Sequence, residues 1–354
     1  MSFRQKRVLL STPFYALFEF FLLKYIFLLI GGVNDIYIIS LAVIIGLMRI
    51  VPMFLESRAS TPFGRFLSTL DGLWMWGSLM YLIDIVFIYL INIFIPLSLE
   101  IRLLLLAIVP VVGVYNYYNA HKIVIKERTI KLPNLSQDMN IIHLSDVHFG
   151  SVRHKSIIKD IVDRIKEIED KCDLVVISGD LADGSSVILK DDFLQFAKLD
   201  IPIFFTPGNH DFYMGIESVV DASRKAGIIV LDNEKIQFKS LNIYGLTYSF
   251  EDKSTPKFDK DMIDPNLVNI LNYHVPYYWD EFSSLGFDIQ LSGHTHGGQF
   301  YPVVWFSELL FKYNKGLFKN KSGKYLHVTT GVGSMDVPMR WGTNSEIVIL
   351  KLRK

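Results

Sequence analysis

Ser292-Gly293-His294-Thr295-His296-Gly297-Gly298-Gln299 follows an apolar run, residues 287–291, that reads as a buried strand. A strand that gives way to glycine and histidine marks a tight turn, and two imidazoles one residue apart can aim at neighbouring points, as metal ligands must. Taken alone, the stretch is equally a glycine-rich turn that happens to carry histidines. The rest of the chain decides between the two readings.

Four earlier strand ends are of the same kind. Residues 140–145 run into Asp146-Val147-His148-Phe149-Gly150, and residues 174–178 into Gly179-Asp180-Leu181-Ala182-Asp183-Gly184. Residues 203–206 run into Pro207-Gly208-Asn209-His210-Asp211, and residues 267–273 into His274-Val275-Pro276. Between them, Ile157, Ile158, Ile161, Val162, Ile165 and Ile168 recur at helical spacing. Further helices are expected near 189–199, over 216–226 with Gly227 as the cap, and around 278–285. Residues 123–132 alternate as an exposed strand, and 236–239 with 241–246 read as a hairpin. Strand, polar tip and helix in repetition make the fold class α/β, in which sites gather beyond the carboxyl ends of strands. One Asp after a strand is turn chemistry. Five consecutive strand ends bearing Asp/His, Asp, Asn/His, His and His/His point to a metal site.

Asp146, His148, Asp180, Asn209, His274, His294 and His296 offer oxygens and imidazoles without thiolate, a set that suits Mn, Fe or Zn in a reactive site. Seven ligands exceed one ion and suit two sharing a carboxylate. Two such ions about 3.5–4 Å apart clamp a phosphate and bring the pKa of a bound water towards about 7. His210, beside Asn209, is then the general acid or a donor to the developing oxyanion, and Asp183 is placed to orient it. Direct hydrolysis by water follows, without a covalent intermediate.

The ordered set Asp146-x-His148, Gly179-Asp180, Gly208-Asn209-His210-Asp211, His274 and Gly293-His294-Thr295-His296 resembles the five motifs of the calcineurin-like metallophosphoesterases, over residues 121–354. The resemblance implies a two-sheet αββα sandwich and a dinuclear centre. It assigns Asp146, His148, Asp180 and His296 to one ion, and Asp180, Asn209, His274 and His294 to the other, with Asp180 bridging. It also makes His210 the catalytic histidine and Asp183 its carboxylate partner. The Gly-Gly-Gln extension, the tail Gly331–Arg340 and the junction 115–120 resemble the membrane-anchored bacterial branch. They are also similar to membrane-associated enzymes that cleave the pyrophosphate of UDP-diacylglucosamine. A phosphodiester, phosphomonoester or pyrophosphate substrate, lipid-linked in one version, is thereby implied. Arg340 is a candidate phosphate contact, or else pairs with Glu346; His154 is a candidate for the substrate cleft. Gly297 and Gly298 are expected to leave backbone room for a phosphate. His143 reads as core.

Half of the 354 residues are hydrophobic and the formal net charge is zero, so no global field invites nucleic acid. Residues 1–120 hold eight Lys/Arg and six Asp/Glu, the remainder 28 and 30. That division predicts a four-helix membrane region over 1–120, with spans at 8–30, 33–55, 70–97 and 101–118, ahead of the phosphoesterase domain. Arg4, Lys6, Arg7, Arg58, Arg65, Lys122, Lys126 and Arg128 flank one side of the spans; the opposite loops carry Arg102 alone. Positive residues mark the inner side, so both termini and the catalytic domain are expected in the cytoplasm, at a bacterial-type inner membrane. Glu19, Lys24 and Asp84 lie within the spans, where Lys24 is expected to pair with Asp84 or Glu19. Trp74, Trp76 and Tyr81 read as an interfacial belt, and Arg49 as snorkelling. The lone Cys172 fits a reducing compartment. The competing functional reading is a metal-binding membrane sensor or scaffold with little catalysis.

Overall fold

The computed structural model describes residues 3–250 and 262–354. Four helices come first, α1 Phe3–Leu29, α2 Asp35–Glu56, α3 Pro62–Phe94 and α4 Leu99–His121. Each is long and apolar enough to cross a membrane. Asn34, Thr61 and Ser98 accept backbone N–H groups at the starts of α2, α3 and α4, satisfying donors that the first turn leaves unpaired.

Beyond Lys122 the chain builds two six-stranded mixed sheets. The first contains β1 Ile123–Lys131, β2 Met139–Leu144, β3 Leu174–Ser178, β4 Ile203–Thr206, β5 Ile229–Val230 and β12 Ser345–Arg353, in the order β1-β12-β2-β3-β4-β5. The second contains β6 Glu234–Phe238, β7 Leu241–Leu246, β8 Val268–Tyr273, β9 Ile289–Ser292, β10 Gly316–Lys319 and β11 Tyr325–Val328, in the order β10-β11-β9-β8-β7-β6. Ile141, Val176, Phe204 and Leu350 from the first sheet meet Ile243, Val268, Ile270 and Leu291 from the second in one dry core. Helices α5 His154–Lys166 and α6 Ile216–Lys225 cover the outer face of the first sheet through Ile157, Ile161 and Val219. Helix α7 Trp279–Leu285 covers the second through Phe282, and α8 Val303–Leu310 follows the His-Thr-His turn. This is the α/β two-sheet sandwich that the motifs implied.

Strands β2, β3, β4 and β5 run parallel, as do β7, β8, β9 and β11. Their carboxyl ends therefore gather at one edge of the sandwich, which is where every motif falls. The stretch expected as a helix near 189–199 forms only a short 3-10 turn, Leu194–Lys198. Elements α8 and β10–β12 were not among the expected elements, although Ile347–Leu350 is an apolar run of strand type.

The four helices lock onto the sandwich. Asn119 Nδ2 donates to the Arg340 and Thr343 carbonyls, Ser345 Oγ to the Ala120 carbonyl, and Val187 N–H to the Glu56 carbonyl. Trp76 is buried with Val109, Phe300, Val337 and Met339, so it belongs to this junction and not to a lipid-facing belt. Inside the bundle, Glu19 accepts from Trp74 Nε1 at 3.0 Å and Ser78 Oγ at 2.7 Å, while Lys24 pairs with Asp35 at 2.9 Å. The expected pairing of Lys24 with Asp84 or Glu19 is thus corrected. Asp35, at the start of α2 across a short loop, lies closer to the end of a long lysine side chain.

Candidate metal centre

Five of the seven candidate ligands sit on left-handed backbone: Asp146 (φ 53°), His148 (φ 50°), Asp180 (φ 53°), His294 (φ 71°) and His296 (φ 50°). Each such non-glycine residue costs on the order of 1–3 kcal/mol and persists only where its surroundings over-determine it. Here the loops are tied to one another. Asp146 and His148 N–H donate to the Gly179 and Asp180 carbonyls, and Gly293 N–H donates to the His274 carbonyl. Asp211, which sequence reasoning quoted but left without a role, accepts from Asp180, Ala182 and Gly208 N–H at 2.8–2.9 Å and clamps the loop after β3 to the loop after β4. An Asp directly after Asn-His is common turn chemistry, so nothing local distinguished it.

The clamp requires small neighbours. A Cβ on Gly208 would lie 2.4 Å from Asp180 Oδ1, and one on Gly293 would lie 2.2 Å from Asp146 Oδ2.

The side chains converge into two groups, linked by a third made of His148, Asp180 and His210. Asp146, His148 and His296 bring one donor atom each within 4.8 Å of one another; so do Asp180, His274 and His294. His296 Nε2 is 3.2 Å from Asp146 Oδ1, and His274 Nε2 is 3.1 Å from Asp180 Oδ2. His274 Nδ1–H donates to the Ser178 carbonyl at 2.8 Å, which turns Nε2 into the site towards Asp180. His294 N–H holds Asp146 at 3.0 Å, and His210 N–H holds Asp180 Oδ1 at 2.8 Å. Asn209 donates through Nδ2 to the Tyr213 hydroxyl, and its Oδ1 is buried without a hydrogen-bond partner.

The electrostatics call for cations. Asp146 and Asp180 are buried, and among the described residues no lysine or arginine pairs with either. Two desolvated carboxylates need compensating charge. Burial opposes protonation of His274, but the Asp180 carboxylate outweighs it and lifts the imidazole to about 9. Burial holds His294 and His296 down at about 4, so they are neutral, lone-pair donors at pH 7. His148 Nε2 and His296 Nε2 lie 3.0 Å apart, a spacing that bare lone pairs avoid unless a proton or a cation stands between them. The donors therefore fit metal ions.

His210 reaches the same place from the other side. Its Nδ1 meets the Asp183 carbonyl oxygen at 2.9 Å; a carbonyl only accepts, so Nδ1 carries the proton and Nε2 is left for the site. The Asp183 contact to His210 runs through its main chain, whereas its carboxylate accepts from Ser185 N–H. That corrects the expected carboxylate–imidazole pairing, because the left-handed turn at Asp180 points the Asp183 carbonyl, not its side chain, at His210.

Two other expectations are also corrected. Arg340 is fully buried, with Nη2 donating to the Thr330, Gly331 and Gly333 carbonyls and Nη1 to Thr343 Oγ1. It braces the 330–343 loop and offers substrate no free edge; Glu346 pairs with Lys126 instead. Gly297 and Gly298 give no room to a phosphate: a Cβ on Gly298 would meet Val304 Cα at 2.5 Å. Their left-handed φ values of 58° and 84° turn the chain into α8. His154 rests on the Phe149 ring at 4.5 Å, half-buried at the start of α5.

Residues 139–298 match the family model of the calcineurin-like phosphoesterases. An uncharacterized metallophosphoesterase of Helicobacter pylori is 33% identical over 236 residues, covering 64% of this chain and 63% of the relative. The chain thus spans a little under two thirds of that relative's length. A metallophosphoesterase of Aquifex aeolicus is 30% identical over 68% of this chain and 96% of its own. A transmembrane protein with metallophosphoesterase domain from Danio rerio is 27% identical over 72% of this chain and 62% of its own. With the five loops converging on one cation-seeking pocket, these likenesses agree: the chain belongs to the calcineurin-like metallophosphoesterase family.

Proposed function

We propose that this chain is a membrane-anchored phosphohydrolase that uses two divalent metal ions to cleave a phosphodiester, phosphomonoester or pyrophosphate bond, on a lipid-linked substrate. The observation that carries the reading is the convergence of Asp146, His148, Asp180, His274, His294 and His296, five of them on left-handed backbone, at one edge of the two sheets. Asp146, His148 and His296 would hold one ion, Asn209, His274 and His294 the other, with Asp180 between them. When bound, the pair supplies charge for the phosphoryl oxygens and an activated water at neutral pH.

The protein's own groups do the rest. Ser178 fixes the His274 tautomer, Asp211 fixes the height of Asp180, and His294 and His210 main-chain N–H groups orient Asp146 and Asp180. His210, held through Nδ1–H by the Asp183 carbonyl, presents Nε2 to the leaving oxygen and, as the imidazolium, would give that oxygen the Nε2 proton. The sandwich packs against the helix ends that carry Arg7, Arg49, Arg58, Arg65 and Lys122, so a positive-inside membrane puts the catalytic edge in the cytoplasm.

Hydrolysis of bis-p-nitrophenyl phosphate by the purified full chain with Mn2+ tests this. Asp180→Asn and His210→Ala should each lower kcat/KM by about 10²-fold or more. Wild-type rates in both variants would overturn the mechanism. Metal binding without hydrolysis of any phosphoester would favour the sensor reading.

A further inference from the structure

Where the first three helices meet the catalytic loops they enclose a cavity of about 430 Å³. Ser185, His210 and Tyr213 line its catalytic wall; Arg7 of α1, Arg49 of α2 and Met75 of α3 line its membrane wall. We propose that this cavity holds the phosphate-bearing headgroup of a membrane lipid whose chains remain in the bilayer, with Arg49 and Arg7 gripping the anion. The inference rests on the phosphohydrolase reading for the claim that the lipid is substrate; the binding site itself stands on separate observations.

The first is charge. Among the described residues no carboxylate pairs with Arg7 or Arg49, whereas Lys126 and Arg153 pair with Glu346 and Asp160. The Arg49 guanidinium has only the Tyr15 ring at 4.9 Å and the Met75 sulfur at 3.8 Å, and its Nε is buried without a partner. A planar, permanently charged fork with unused donors suits phosphate. Asp71 and Asp336 also line the cavity, but both are engaged in interactions of their own.

The second is depth. Met75 on the cavity wall is followed by Trp76, which packs with Phe300, and the chain from Phe300 leads directly into α8. One residue of helix rises about 1.5 Å, so cavity and α8 reach α3 at the same height. Helix α8 leaves Trp305 (64%), Phe306 (62%), Leu309 (83%) and Leu310 (76%) exposed. An exposed apolar helix face in a chain with four candidate spans suits the headgroup–acyl boundary of a bilayer, and the cavity would then lie at that level.

The third is position along the reaction. His210 faces the cavity, so whatever part of a substrate lies beyond His210 extends into it and towards the arginines. The volume takes a phosphorylated glycerol or sugar but not acyl chains.

The test uses the full chain in phosphatidylcholine nanodiscs with Mn2+. A fluorescent phosphatidic acid is the binding probe, and sn-glycerol 3-phosphate is the same headgroup without chains. Phosphatidic acid should bind at least 30-fold more tightly than glycerol phosphate. Arg49→Gln should weaken it at least tenfold, Arg49→Lys should recover part of the loss, and Arg58→Gln, outside the cavity, should leave it. Met53→Trp, which fills the cavity, should also weaken it, guarding against an Arg49 variant that fails to fold. Equal affinity for both probes would assign the cavity to a soluble phosphate ester and overturn the proposal, as would Arg49→Gln within twofold of wild type. Because binding needs no turnover, tight phosphatidic acid binding without hydrolysis of bis-p-nitrophenyl phosphate would uphold the cavity and overturn the enzyme reading alone.

Discussion

Single residues in this protein are placed by what their polar atoms can reach once buried. His143, read from sequence as core, is part of a hydrogen-bonded line between the sheets. Ser178 Oγ donates to Asn272 Oδ1 at 2.6 Å, so it accepts from His143 Nε2–H at 2.8 Å, and His143 Nδ1 accepts from His327 Nδ1–H at 2.7 Å. Burial holds both imidazoles below the usual histidine range, His327 at about 4. The unfolded chain therefore takes up protons below about pH 6.5 that the folded chain refuses, in the case of His327 until about pH 4, and stability falls as pH drops across that window. His327→Asn keeps a donor near the Nδ1 position and cannot be charged. In EDTA, its thermal midpoint should fall less steeply from pH 6.5 to 4 than that of wild type; an identical slope would refute the assignment. Arg340 gives the companion prediction. Losing a buried guanidinium that serves three carbonyls should cost about 3 kcal/mol. Arg340→Ala should thus lower the melting temperature by several degrees while leaving KM for bis-p-nitrophenyl phosphate within twofold. A large KM effect with unchanged melting would restore Arg340 to the substrate.

At the scale of elements, the strand ends were legible because their signal is local. A run such as Leu174–Ser178 that stops at Gly179-Asp180 declares both the strand and the carboxylate at its tip within seven residues. The spans were legible by length and composition, and Ile123–Lys131, Ile203–Thr206 and Ile216–Lys225 by periodicity. What stayed hidden depends on distant partners. Nothing near Arg340 announces the carbonyls of Thr330 and Gly333, and nothing near Gly298 announces that Val304 fills the space above it. Helix α8 was missed because Val303–Leu310 is short and its apolar residues fall on the exposed side as well as the buried one, so no amphipathic period stands out. The strain at the ligands gives a prediction at this scale. Gly293→Ala forces a methyl against Ser145 Oγ and Asp146 Oδ2. It should lower Mn2+ affinity at least tenfold with the fold retained, as read by metal titration alongside circular dichroism; unaltered affinity would show that the loop can yield.

For the whole molecule, the membrane helices and the sandwich act as one body. Hydrogen bonds from Asn119, Ser345 and Val187, together with the Trp76–Phe300 junction, hold the catalytic edge against the ends of the spans. The zero net charge of the chain hides this division of labour, in which an apolar third sets the depth at which the polar remainder works. The turn Ser292–Gln299 joins the two, since His294 and His296 sit in the His/Asp groups that could hold metal while Gln299 Nε2 donates to the Val337 carbonyl beside Trp76. The central claim is that two ions, held by these seven residues, make the site hydrolytic. The most direct measurement titrates EDTA-stripped full-length protein with Mn2+ while following bis-p-nitrophenyl phosphate hydrolysis. Turnover should be absent without metal and should saturate at two equivalents. Turnover in the metal-free chain, or none once both equivalents are bound, would contradict it.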